Sequence, residues 1–112
     1  MEISVSEIKP GITRISLSGR FDAEGVTHIR VQFLAAAEAK ARLVIVEMSG
    51  VSFMASTGIR LLLLGAKSLK ATGGKLVVAG PKDNVAYPMT ISGVDTVVPI
   101  YSSVEKAIAS LG

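Results

Sequence analysis

The sequence predicts a single α/β domain, with a mixed, mostly parallel sheet that opens on an N-terminal antiparallel hairpin and about four helices. Three observations carry that prediction. Short apolar strands alternate with segments of helical period, the first two strands are separated only by a turn, and 112 residues leave room for one compact unit, residues 1–112. Strands that alternate with helices imply right-handed crossovers, hence parallel neighbours.

From Glu2 to Glu7, Ile3 and Val5 alternate with Glu2, Ser4 and Ser6, the period of a half-buried strand. Lys9-Pro10-Gly11 turns the chain, and Thr13, Ile15 and Leu17 alternate with Arg14, Ser16 and Ser18, completing a hairpin. Glu24 to Lys40 reads as a helix: Val26, Ile29, Phe33, Ala36 and Ala37 form its apolar stripe and Asp22 is the candidate N-cap. Leu43 to Met48 is a nearly continuous apolar run bounded by Arg42 and Ser49-Gly50, as expected of a central strand covered on both faces. Lys75 to Ala79 repeats that pattern. Between them Thr57 to Ala71 reads as a helix stopped by Thr72-Gly73-Gly74. A weaker helical segment follows near Asp83 to Ser92, then a short strand at Val97 to Tyr101. The last helix begins at Ser102 and Glu105, which have capping-box spacing, and buries Val104, Ala107, Ile108 and Leu111.

Composition removes several functional classes. With 49% hydrophobic and 19% charged residues the chain can build a core, which argues against disorder. Its richest apolar run, Ile59 to Ala66, is broken by Arg60 and Gly65, far short of a membrane span, so no membrane insertion is expected. The first residues carry Glu2 and Glu7 where a secretory signal needs basic and then apolar residues, so a cytoplasmic protein is expected. The absence of cysteine removes disulfides, thiolate metal sites and cysteine nucleophiles. Twelve basic and nine acidic residues give a net charge of +3, but the cations are scattered and only 4% of residues are aromatic, which argues against nucleic-acid binding.

Catalytic motifs are equally sparse. His28 is the only histidine and falls opposite the apolar stripe of its helix, as a surface residue would. Ser56 has Met54 where a nucleophile elbow needs glycine. Gly73-Gly74-Lys75-Leu76 lacks the upstream glycine and following hydroxyl of a phosphate loop, and no G-x-G-x-x-G occurs. Asp22, Glu24, Glu47 and Asp83 lie on separate elements, so no metal site or acid–base pair is expected. The sequence predicts a non-enzymatic chain without a cofactor.

Gly50 to Arg60 is the most informative segment. It leaves the central strand and places Ser56 and Thr57 at a helix start, where free backbone N–H groups and the helix dipole favour an oxygen acceptor and favour a phosphate more. Ser56 there is either an ordinary cap or a residue whose charge is switched. At 100° per residue, Ile59, Leu62, Leu63, Ala66 and Leu69 form one stripe, and Leu61 and Leu64 fall opposite it beside Thr57, Gly65 and Ser68. Leu61 and Leu64 are then either a docking surface or the second face of a helix covered on both sides.

Phe53-Met54-Ala55-Ser56-Thr57-Gly58-Ile59 resembles the M-D-S-[ST]-G-[LI] phosphorylation segment of STAS domains of the anti-sigma-factor antagonist family. Gly19-Arg20-Phe21-Asp22 resembles that family's junction between the second strand and first helix. Met89 to Tyr101 is similar to its L-x-x-[ST]-G-[LV]-D-x-[VL]-[FV]-x-I-[FY] stretch, so the likeness runs nearly end to end. The middle motif is the specific one.

The resemblance implies that Ser56, with Thr57 as the alternative, is phosphorylated by an anti-sigma factor serine kinase. It implies that the unphosphorylated chain binds that kinase and frees a sigma factor, and that a serine phosphatase resets the phosphorylated form. The partner surface would comprise Asp22, Ala55, Ser56, Thr57, Gly58, Arg60, Leu61 and Leu64. Two positions depart from the family pattern: Ala55 stands where Asp is usual, and Arg60 where a small residue is common. The alternative is the same fold serving, unphosphorylated, as a binding subunit of a lipid-transport ATPase, a stress-sensing complex or a transporter.

Overall fold

A computed structural model describes residues 1–38 and 40–111. Five strands stand in the order β1-β2-β3-β4-β5: β1 (Glu2–Lys9), β2 (Ile12–Phe21), β3 (Leu43–Met54), β4 (Lys75–Ala79) and β5 (Ile100–Tyr101). β1 pairs antiparallel with β2, and every other neighbouring pair is parallel. The helices are α1 (Ala23–Glu38), α2 (Ser56–Ala71), α3 (Asp83–Ile91) and α4 (Val104–Ala109), with a short 3₁₀ turn at Val94–Thr96. The hairpin, the parallel sheet and the four helices are those expected from the sequence. Of the helix expected over Glu24 to Lys40, residue 39 lies outside the described residues.

Pro10-Gly11 forms the two-residue connection between Lys9 and Ile12, which face each other across the hairpin. Gly11 has φ +80°, a conformation an L side chain resists and a glycine adopts freely.

Strand order explains the uneven covering of the sheet. Because β2 to β5 step in one direction, right-handed crossovers send each connecting helix to the same side. The main core lies there, with Ile29 and Phe33 of α1, Leu61, Leu62 and Leu69 of α2, and Val85 and Met89 of α3 against Val44, Val46, Leu76 and Val78. On the opposite face the six-residue α4 alone covers Leu43, Ile45, Val77 and Ala79, through Ala107 flanked by Val104 and Ile108.

α1 does not reach Lys40, α2 starts one residue early at Ser56, and three further boundaries differ from expectation. β3 runs to Met54 rather than stopping at Met48: two register shifts against β2 absorb one extra residue each, so Ser49-Gly50 is carried inside the strand instead of ending it. β5 holds only Ile100 and Tyr101, because Val94–Thr96 winds into the 3₁₀ turn before it. The α4 cap is Ser103, not Ser102; its hydroxyl oxygen accepts the Lys106 amide at 3.1 Å, and no capping box forms. The stop of α2 is as expected: the Gly74 amide donates to Leu69 and the Gly73 amide to Lys70, with Gly73 at φ +84°.

Candidate functional site

The carboxyl ends of β2 and β3 and the first turn of α2 meet at one corner of the sheet. The longer β3 brings this about, since its register sets Arg20 opposite Phe53 and Phe21 opposite Met54. Beyond those pairs the Ala55 amide donates to the Phe21 carbonyl at 3.0 Å, fixing where α2 starts. Ala55 is the N-cap and Ser56 the first helical residue. Ser56 is therefore not the capping side chain, and α2 starts without a side-chain cap hydrogen bond.

The two hydroxyls of the motif are not equivalent. Ser56 is exposed, whereas Thr57 Oγ1 is buried and, among the described residues, unpartnered. Gly58 is buried because the helix touches down there: a Cβ at this position would stand 2.9 Å from both the Phe21 carbonyl oxygen and Phe21 Cγ, and 3.0 Å from Met54 Sδ. Gly65, two turns on, approaches Phe33 in the same way, with a Cβ falling 2.8 Å from Cε1.

Those two glycines correct the reading of the helix face. α2 buries Gly58, Leu61, Leu62, Gly65 and Leu69, so Leu61 is a core residue at 1% exposure and not part of an outer surface. Leu64 is exposed, as expected. The apolar stripe read from side chains alone is rotated by roughly 75° from the face that packs, because glycines adding no apolar side chain mark where the helix comes closest. Ile59, Leu63 and Ala66, expected within the core stripe, are the half-buried flank of the face that packs.

Asp22 caps α1 as expected. Its Oδ1 accepts the Gly25 amide at 2.9 Å and its Oδ2 accepts from Arg20 Nε at 3.2 Å. The Gly25 amide foremost, and the Arg20 guanidinium after it, hold the Asp22 carboxyl below the ordinary aspartate value against the opposing effect of desolvation. Arg20 also lies over the Phe53 ring, 4.4 Å from its centroid. This Asp22-Arg20-Phe53 chain was not legible in the sequence, where Arg20 and Phe53 are far apart and their opposition follows only from the bulged register. Alongside, Asn84 Nδ2 donates to the Ser52 carbonyl at 3.1 Å, tying the start of α3 to β3. Arg60 is exposed one turn beyond Ser56, and His28 is exposed on α1. Among the described residues no group of three metal-ligating side chains exists, and no helix is long and apolar enough to cross a membrane.

The family model described as the STAS domain matches residues 4–107. The chain belongs to the STAS domain family. This STAS domain is 26% identical over 110 residues to BtrV of Bordetella bronchiseptica, named as a candidate anti-sigma factor antagonist, covering 98% of this chain and 94% of that one. Its fold superposes with a TM-score of 0.87 on a STAS domain protein of Planctomyces limnophilus described as an anti-sigma-factor antagonist, at 26% identity over 98% of this chain and 97% of the other. The unphosphorylated form of the anti-sigma factor antagonist SpoIIAA superposes with a TM-score of 0.81 at 23% identity, over 98% of this STAS domain and 96% of SpoIIAA.

Proposed function

We propose that this STAS domain is an anti-sigma-factor antagonist, controlled by phosphorylation of Ser56. Unphosphorylated, it docks on an anti-sigma factor kinase in the cytoplasm and displaces the sigma factor. The kinase transfers a phosphate to Ser56 and docking ends; a serine phosphatase restores the hydroxyl. The domain is substrate and ligand and catalyses nothing itself.

The observation that carries this reading is the contrast at the head of α2, where Ser56 is exposed on the first helical residue while the Thr57 hydroxyl is buried. A kinase can reach the first and not the second. The names of the relatives point the same way, and SpoIIAA has been described in a phosphorylated form. Around Ser56 the docking surface would take in Asp22, Ala55, Arg60 and Leu64, with the buried Gly58 and Leu61 supporting it from below. A phosphate adds about −1.5 to −2 charges, and burying it unpaired would cost on the order of 3 to 5 kcal/mol, a loss of roughly a hundredfold to several thousandfold in affinity.

The test mixes the purified domain with its cognate anti-sigma factor and ATP. The expected result is a single added phosphate at Ser56, absent from Ser56→Ala, with loss of the complex as phosphate accumulates. No phosphate at residue 56, together with equal binding by wild type and Ser56→Asp, overturns the switch.

A further inference from the structure

A groove of about 840 Å³ runs beside the outer face of α2, away from the packed glycines. Its apolar lining comes from Leu63 and Leu64 on the helix, Leu76 at the start of β4 and Val97 after the 3₁₀ turn. Leu64 and Val97 are 39% and 60% exposed and Leu63 is half-buried, so these three open to solvent, whereas Leu76 belongs to the core. Four cations also line it: Arg60, Lys67 and Lys70 from α2, and Lys75 from β4. All four are exposed, none is ion-paired among the described residues, and no acidic side chain lines the groove.

We propose that this groove receives an acidic amphipathic helix of a partner protein, its apolar ridge on the leucines and Val97 and its carboxylates on the four cations. The proposal rests on the reading of α2 as a docking helix, with which it shares Arg60 and Leu64, and adds the chemistry of what docks.

Shape and charge select this occupant. Arg60 and Lys70 are ten residues apart, roughly 15 Å along the axis, which is the length of about three turns of a facing helix. A single-headed anion would engage one or two of these cations; a row of carboxylates spaced along a helix engages all of them. On α2 Leu63 and Leu64 flank the row of Arg60 and Lys67, so apolar and charged contacts lie side by side along the groove, as an amphipathic helix requires. A second copy of this chain fits less well, since its own surface carries the net charge of +3. Charge pairing of this kind steers encounter and weakens as salt rises.

The probe is a synthetic 16-residue peptide with leucines at helical spacing i, i+3 and i+7 and glutamates on both flanks; a control carries lysines in place of the glutamates. Binding to the isotope-labelled domain is followed by amide chemical shifts. The expected result is saturable shifts at Leu63, Leu64, Thr96 and Val97, with at least tenfold weaker binding by Lys67→Glu/Lys70→Glu and recovery in Lys67→Arg/Lys70→Arg. Lys67 and Lys70 are solvent-exposed, and thermal melts verify that each variant is folded. Absence of saturable shifts up to millimolar peptide, shifts elsewhere on the surface, or equal binding of the lysine control overturns the proposal. So does co-sedimentation with phosphatidylglycerol vesicles in the absence of peptide binding, which would make this face a membrane contact. Lys67 and Lys70 lie at the far end of α2 from Ser56, so phosphorylation at Ser56 by a cognate kinase is read separately. A silent groove with a working switch sinks only the groove.

Discussion

The Phe21 carbonyl accepts the amide of Ala55 at 3.0 Å, binding the last residue of β2 to the residue that opens α2. Asp22 and Ser56, each the next residue along, are thereby held at the same corner although 34 positions separate them in the sequence. The contact needs the helix to lie low over β2, and Gly58 is what lets it do so.

Gly58→Ala tests that geometry. The added Cβ would meet the Phe21 carbonyl and ring at 2.9 Å, and a carbonyl engaged in the strand-to-helix contact cannot swing aside as a flexible side chain can. Overpacking of this kind costs about 1 to 3 kcal/mol, outweighing the gain of up to ~1 kcal/mol that alanine brings inside a helix. Urea unfolding should show a net loss of stability; an unchanged or raised midpoint would mean α2 does not sit this close.

The two leucines once grouped together should separate. Leu61→Ala empties a site buried in the main core and should cost about 2 to 5 kcal/mol. Leu64→Ala removes a side chain that faces solvent and should change stability by no more than ~0.5 kcal/mol while weakening partner binding. Parallel denaturation curves for the two variants check this directly.

Most of the architecture was legible because each element carried its own local signal: alternation in β1 and β2, apolar runs in β3 and β4, and the Gly73-Gly74 stop of α2. What failed were features that only neighbours determine. Ser49-Gly50 has turn chemistry, yet β2 holds it in the sheet through bulges. The rotation of α2 depends on Gly58 and Gly65, which add no apolar side chain to a periodicity and owe their place to Phe21 and Phe33. Ser56 was legible as a hydroxyl at a helix start, but its position one residue inside the cap, with Thr57 turned inward, followed from the strand-to-helix contact and not from residue type.

Asp22 gives stability an acid dependence whose sign is fixed by its environment. Its carboxyl is held below the ordinary aspartate value, first by the Gly25 amide, so the folded state favours the ionised form. The stabilisation is therefore complete above the unfolded-state value of about 3.9 and is lost as pH falls through the lower folded-state value. Asp22→Asn retains an acceptor for the Gly25 amide but cannot titrate. The stability difference between wild type and Asp22→Asn should shrink as pH drops below 4, measured by urea unfolding across an acid series; a constant difference would remove Asp22 from the acid response.

Ala55→Asp supplies the carboxylate that the sequence motif leads one to expect and that this chain lacks. Ala55 is already in the extended conformation of an N-cap, with φ −105° and ψ 167°, so an aspartate needs no backbone change there. Its oxygen can accept an amide of the first turn, where α2 now has no side-chain cap hydrogen bond, and its charge lies at the positive end of the helix dipole. These effects together should raise stability by about 1 kcal/mol, and by less in high salt, where the dipole contribution is screened. The same substitution sets a negative charge beside the Ser56 hydroxyl, so two outcomes of phosphate transfer separate two roles for that carboxylate. Faster transfer to Ala55→Asp than to wild type, with a cognate anti-sigma kinase, would show that it orients the hydroxyl or is read by the kinase. Equal transfer with raised stability would show that the aspartate acts as a helix cap, and that Ala55 leaves the switch intact at the cost of a less stable first turn.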